Sequence, residues 1–199
     1  MSKFERQYDL FKYNDPNYSI KTNCEDLHIN KKIITTWQNK IINFQSKVFA
    51  SNDKSLNQYS LFESHINESQ EKFNPLELTP LPLSFWRWPI AKHKGPAVYF
   101  VIDKIINQQE NIILYIGETL FADKRWKGDH DCKIYLSNYC ESLQKAGLIT
   151  NLDIRFWIDV PKETKERRKL EKKLIQTWQP PFNKETRGYW STPFTSQIN

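Results

Sequence analysis

Two runs constrain this chain more than any other feature. AVYFVIDK (97–104) and NIILYIGE (111–118) are rich in β-branched and aromatic residues, and only IINQQE lies between them. Runs of this kind form strands, and so short a link makes them an antiparallel hairpin. Alternation sets Tyr99 opposite Val98, Phe100 and Ile102, and Tyr115 opposite Leu114 and Ile116, so both tyrosines share one sheet face. The second strand then meets Gly117, which leaves room for backbone or ligand to approach closely. An ordinary hairpin also carries strand tyrosines and a turn glycine.

The segments that follow change period twice. KIYLSNYCESLQKAG places Ile134, Leu136, Tyr139 and Leu143 on a helical stripe that ends at Gly147. LDIRFWID sets Ile154, Phe156 and Ile158 against Arg155, Trp157 and Asp159, the pattern of a strand with one buried face. Pro161 is expected to open the next helix, PKETKERRKLEKKLIQTW, which stops before Pro180-Pro181. LFADKRWKGDH reads as a short helix just after the hairpin. The order β-β-α-β-α predicts an α+β fold: a small, mostly antiparallel three-stranded sheet flanked by helices.

Upstream, KKIITTWQNKIINFQSKVFA (31–50) puts Ile33, Ile34, Trp37, Ile41 and Val48 at helical spacing, and SLNQYSLFESHINESQEKF reads as a second helix. NPLELTPLPLSFWRWPIAKHKGP is rich in proline, which denies helix and central strand. These textures divide the chain into a helical N-terminal extension (1–78), a Pro/aromatic-rich connector (79–96), a domain with the β-β-α-β-α order (97–190) and a C-terminal tail (191–199). The 199 residues suffice for one good core.

No apolar run approaches the roughly 20 residues of a membrane span, and the first residues lack a signal-peptide core. A cytoplasmic protein without a membrane partner is the expectation. Cys24, Cys132 and Cys140 show no paired spacing, so a disulfide framework is not expected. His130, Cys132 and Cys140 fit no zinc module, and the cysteines read as ordinary thiols. The first 80 residues balance their charges, so the whole net charge of +6 falls on residues 81–199. Such asymmetry points to a polyanion on the basic half, although a solvated lysine-rich surface would look the same.

The last helix sharpens the question. Leu170, Leu174, Ile175 and Trp178 form its apolar arc, and Lys162, Lys165, Arg168, Lys169, Lys172 and Lys173 lie on the opposite side. Glu171 falls within the apolar arc. A lone inward carboxylate must be paired, protonated or bound to metal. An ion pair with Arg167, one turn earlier, is the ordinary explanation. Arg125 has the planar, multi-donor head that suits phosphate, as do many surface arginines.

Taken together, AVY (97–99), YIGET (115–119), Lys124-Arg125, LEKKLI around Glu171 and PPFN ending at Asn183 resemble the GIY-YIG nuclease family. The resemblance covers about residues 95–190. It implies that Tyr99 acts as general base or positions the attacking water, and that Tyr115 contacts the scissile phosphate. Gly117 would let that phosphate approach the backbone. Arg125 would stabilise charge on phosphorus, Glu171 would hold one Mg²⁺ or Mn²⁺, and Asn183 would brace the site. Lys124, Arg168 and Lys172 would bind the nucleic-acid backbone.

The chain departs from the family pattern in three ways, one of them a somewhat long hairpin loop. Ala97 replaces the first glycine, with Gly95 two residues earlier. Asp129 stands where the family often has His or Tyr, with His130 one residue late and Tyr135 as an alternative. The resemblance implies a metal-dependent endonuclease of double-stranded DNA, nearer the restriction enzymes than the large repair nucleases, acting as a homodimer or by sequential nicks. A catalytically inactive nucleic-acid-binding protein on the same fold is the alternative. A basic-faced interaction protein is a third. Trp86, Arg87 and Trp88 in the connector would either stack on nucleic acid or pack against the core.

Overall fold

The hairpin forms as its side chains require, and the rest of the chain is arranged around it. The computed structural model describes residues 31–52, 73–88, 90, 92–106, 108–127 and 130–192. The elements are α1 (Lys31–Asn52), β1 (Leu81–Pro82), β2 (Ala97–Ile105), β3 (Glu110–Thr119), α2 (Asp131–Lys145), β4 (Leu152–Trp157) and α3 (Thr164–Trp178). The expected helix over 55–73 lies outside the described residues except for Phe73. No helix among the described residues is long and apolar enough to cross a membrane.

The protein is α+β, but its antiparallel sheet has four strands rather than three, in the order β1-β4-β2-β3. The extra strand comes from the proline-rich connector. Leu81 and Pro82 pair with Ile154 and Asp153 at the sheet edge, where a missing N–H is tolerated.

Each face of the sheet carries its own apolar cluster. Tyr99, Val101, Ile112 and Leu114 pack with α2 residues Leu136, Tyr139 and Leu143 and with Phe182. Val98, Phe100, Ile102, Ile113 and Ile116 pack with Ile175 and Trp178 of α3. Strict alternation fails at one point. The pairing shifts between Val101↔Tyr115 and Ile102↔Ile113, so Leu114 is an extra residue and joins the Tyr99 side. Such a bulge re-aims one side chain without ending the strand.

The structure corrects several sequence-based expectations. Ile33 and Ile134 lie outside their helical stripes and are exposed, while Ile42, Cys132 and Tyr135 are buried in them. β4 is covered on both sides, because Arg155 is buried by a two-bond pairing with Asp153 and by the Leu76 carbonyl. Ile158 falls beyond that strand and is exposed. α3 begins at Thr164, not Pro161. The carbonyls of Pro161 and Lys162 instead accept from Nη1 of Arg167, which draws the entering chain across the helix end.

α1 closes the free edge of β3 and contributes to both clusters, through Ile34, Trp37 and Ile41 on one side and Val48 and Phe49 on the other. Its Gln45 is fully buried. The side-chain oxygen accepts the Ile113 N–H at 2.8 Å, and Nε2 donates to the carbonyls of Ile113 and Trp178. A glutamine thus satisfies edge backbone groups that another strand would otherwise pair.

Candidate active site

Tyr99 and Gly117 are register partners across β2 and β3. The fully buried Tyr99 ring lies over Gly117 and fills the space of the missing side chain. A Cβ at 117 would sit 2.5 Å from Cζ of Tyr99 and 2.9 Å from Cε1 of Tyr115. The two rings stack with centroids 6.0 Å apart and planes 30° apart. Glycine is therefore required by the tyrosines themselves, independently of any ligand.

The stretch after the hairpin is a run of turns rather than the expected helix. Gly95, at φ 82°, turns the chain into β2, and its carbonyl accepts the Ala122 N–H at 2.9 Å. The turns then bring Arg125 over the Tyr99 ring, with Cζ 5.9 Å from its centroid. Trp126 is fully buried beneath the site and meets Tyr99 edge-on at 5.8 Å and His130 at 5.4 Å.

His130 begins α2. Its Nδ1 accepts the Cys132 N–H at 3.0 Å as a helix cap, and Nε2 lies 2.9 Å from the Tyr99 hydroxyl. Burial, reinforced by the Arg125 charge, lowers the His130 pKa to about 4, so the ring is neutral near pH 7. A neutral imidazole whose Nδ1 accepts carries its proton on Nε2. Nε2–H thus donates to Tyr99, and the phenol keeps its own proton. Burial and the neighbouring Tyr115 raise the Tyr99 pKa well above its ordinary value, opposed by Arg125. Tyr135, the alternative to His130, is instead engaged with Arg187 through its hydroxyl at 3.1 Å.

The carboxylate on α3 reaches the edge of β3. Glu171 Oε1 accepts the Glu118 N–H at 3.0 Å. Two residues back along that edge, Asn183 accepts the Ile116 N–H and donates to the Ile116 carbonyl, at 3.0 and 2.8 Å. Between these and Gln45, the bulge carbonyl of Leu114 accepts the Phe182 N–H. The strand carrying Tyr115 and Gly117 is thereby fixed along its outer side.

Arg167 is not the partner of Glu171. It is fully buried, and its Nε pairs with Glu118 Oε2 at 2.8 Å. Arg168, largely exposed, adds a second contact to Glu118 at 3.3 Å. Burial and the Glu118 carboxylate together push the Glu171 pKa up to about 7. Among the described residues no group of three or more His, Cys, Asp or Glu converges on a common cation position. Glu171 suits a cation that takes one protein carboxylate and fills its remaining positions with water and phosphate oxygens, as Mg²⁺ does. Cys132 and Cys140 are free thiols, and burial raises the pKa of both.

Residues separated in sequence therefore meet at one place. Tyr99, Tyr115, Arg125 and His130 gather around Gly117, and Glu171 and Asn183 attach to the adjoining strand edge. Lys124 projects to solvent against Phe121, and Lys172 lies on the exposed face of α3 with Lys165, Lys169 and Lys173. Sequence reasoning missed Trp126 and Glu118. Trp126 was visible as a large aromatic between Arg125 and His130, and Glu118 as the acid beside Gly117. No family model matches the chain, and no curated protein or solved structure matches it significantly.

Proposed function

We propose that the chain is a metal-dependent DNA endonuclease of the GIY-YIG type, its core formed by β2, β3, α2, β4 and α3. One observation carries this reading: Tyr99, Tyr115, Arg125 and His130 surround Gly117, while Glu171 stands at the adjacent strand edge and takes part in no salt bridge among the described residues. Phosphodiester hydrolysis needs an oriented water, stabilisation of charge gained by the phosphoryl oxygens, and a stabilised leaving oxygen.

Arg125 supplies the second need, as a cation held over the Tyr99 ring. Tyr99 supplies the first. Its raised pKa favours the neutral phenol, so it orients water through its O–H rather than resting as a phenolate. His130 holds the Tyr99 oxygen in place and fixes which way that O–H can point. Tyr115 donates to a phosphate oxygen. Gly117 lets the two tyrosines pack closely. Mg²⁺ or Mn²⁺, held by Glu171, would supply electrostatic stabilisation of the leaving oxygen when bound. Lys124, Arg168 and Lys172, with the exposed lysines of α3, give salt-dependent affinity for the backbone. Double-stranded DNA is the substrate proposed, and a homodimer would cut both strands.

A nucleic-acid-binding protein without catalysis is the second reading. It is favoured by the use of Glu171 as an edge acceptor, much as Gln45 and Asn183 are used. Incubation of supercoiled DNA with Mg²⁺ or Mn²⁺, wild type beside Glu171→Ala, separates the two. Discrete products from wild type alone support the nuclease. Binding by both without cutting by either supports the second reading.

A further inference from the structure

Beside the site lies a cleft of about 310 Å³ whose wall is aromatic and basic together. That volume is near the lower end of the roughly 300–1,000 Å³ typical of small-ligand clefts. It suits one nucleoside-sized group and is too small for a length of duplex. Trp86 and Trp88 come from the connector, Lys92 and Lys94 from the approach to β2, and Asp123 and Lys127 from the turns that carry Arg125. The two tryptophans divide the alternatives raised by their sequence. Trp86 packs partly against the core, with the Arg87 guanidinium 5.0 Å above its ring. Trp88 is 43% exposed, and Ile90 beyond it is 81% exposed.

The cleft is joined to the candidate active site by a chain of rings. His93, which lines it, lies 5.9 Å from Phe156, and Phe156 lies 5.9 Å from Tyr99. Lys92, Lys94 and Lys127 take part in no salt bridge among the described residues. Three such cations around an exposed indole complement a group that is anionic at one end and flat at the other.

We infer that this cleft takes one unstacked base of the DNA substrate, near the phosphate bound by Tyr115 and Arg125. The base stacks on Trp88, and its flanking phosphates lie against Lys92, Lys94 and Lys127. This rests on the nuclease reading for its position beside a scissile bond, but not for its ability to bind DNA. Stacking on an aromatic ring tolerates any base, and Asp123 can accept hydrogen bonds from an amino group on the base edge.

The test uses the full chain and a short mixed-sequence duplex carrying one unpaired iodouracil, irradiated in EDTA so that no cutting occurs. Crosslinked peptides are mapped, and Kd is measured by anisotropy for wild type, Trp88→Phe and Trp88→Ala. Crosslinking to the peptide containing Trp86 and Trp88 is expected. Trp88→Ala should weaken Kd about 5- to 150-fold, the ~1–3 kcal/mol of one base–aromatic stack, and Trp88→Phe should weaken it far less. Melting curves for both variants check folding. Crosslinks mapping only elsewhere, or wild-type Kd in a folded Trp88→Ala, overturn the assignment. With Mg²⁺ in place of EDTA, a wild type that binds through the cleft but never cuts removes the nuclease reading and keeps the cleft as a base-binding site. A wild type that cuts, with Trp88→Ala binding normally, removes the cleft alone.

Discussion

The phenol ring of Tyr99 occupies the volume that a side chain at position 117 would need. The two residues are cross-strand partners, and a Cβ on Gly117 would lie 2.5 Å from Cζ of Tyr99. Gly117→Ala must therefore displace a fully buried ring. Overpacking of this kind costs about 1–3 kcal/mol. Urea unfolding should show that loss, and cleavage should fall with it, because Tyr99 and Tyr115 move apart. A variant as stable as wild type would mean that the tyrosines adapt freely.

His130 has two jobs that mutation can separate. Nδ1 caps α2 and Nε2 reaches Tyr99. His130→Asn keeps a side chain able to cap, whereas His130→Ala keeps neither contact. Loss of a cap costs ~1 kcal/mol, so thermal melting should distinguish Ala from Asn. Both should lower kcat about tenfold or more, as loss of one hydrogen bond worth ~1.4 kcal/mol implies, with little change in KM. Wild-type kcat in His130→Asn would show that the Tyr99 contact does not matter to turnover.

Glu171 gives a pH signature. Its folded pKa is about 7 against 4.5 for the free side chain, so between those values the folded chain holds a proton that the unfolded chain has lost. That contribution is fully present below 4.5 and is lost as pH rises through about 7. Asp103, raised from 3.8 to about 6 by burial, acts in the same direction over a lower range. Glu171→Gln should flatten the upper part of the profile only. Because metal competes with the proton, Mg²⁺ should raise the wild-type melting temperature above pH 7 and lose that effect at acid pH. The same Mg²⁺ response in Glu171→Gln would assign the metal elsewhere.

Arg167 is the buried support of Glu118, not a partner of Glu171. Its Nε holds that carboxylate while Nη1 holds two carbonyls at the start of α3. Arg167→Ala leaves Glu118 with the exposed Arg168 alone, and breaking a buried pair from one side costs about 3–5 kcal/mol. Arg167→Lys should recover little, since an ammonium cannot reproduce the planar fork. Equilibrium unfolding of the two variants beside wild type checks both statements.

Much of this protein follows from the period of its residues. Alternation in AVYFVIDK and NIILYIGE dictates two strands, and the spacing of Leu170, Leu174, Ile175 and Trp178 dictates a helix with one apolar side. Those signals are local, because side-chain direction repeats every two or 3.6 residues. They placed many of the inward residues, though not Ile33, Ile134 or Ile158, which are exposed, and they singled out Gly117 and Glu171. They did not say what each residue meets. The bulge at Leu114, the pairing of Arg167 with Glu118 and the shared edge of β3 arise only when distant segments arrive together. Gln45, Glu171 and Asn183 are far apart in sequence, and each satisfies backbone groups on the same strand. Unpaired edge groups demand partners from whichever side chains the fold brings near, and only the tertiary structure decides which those are.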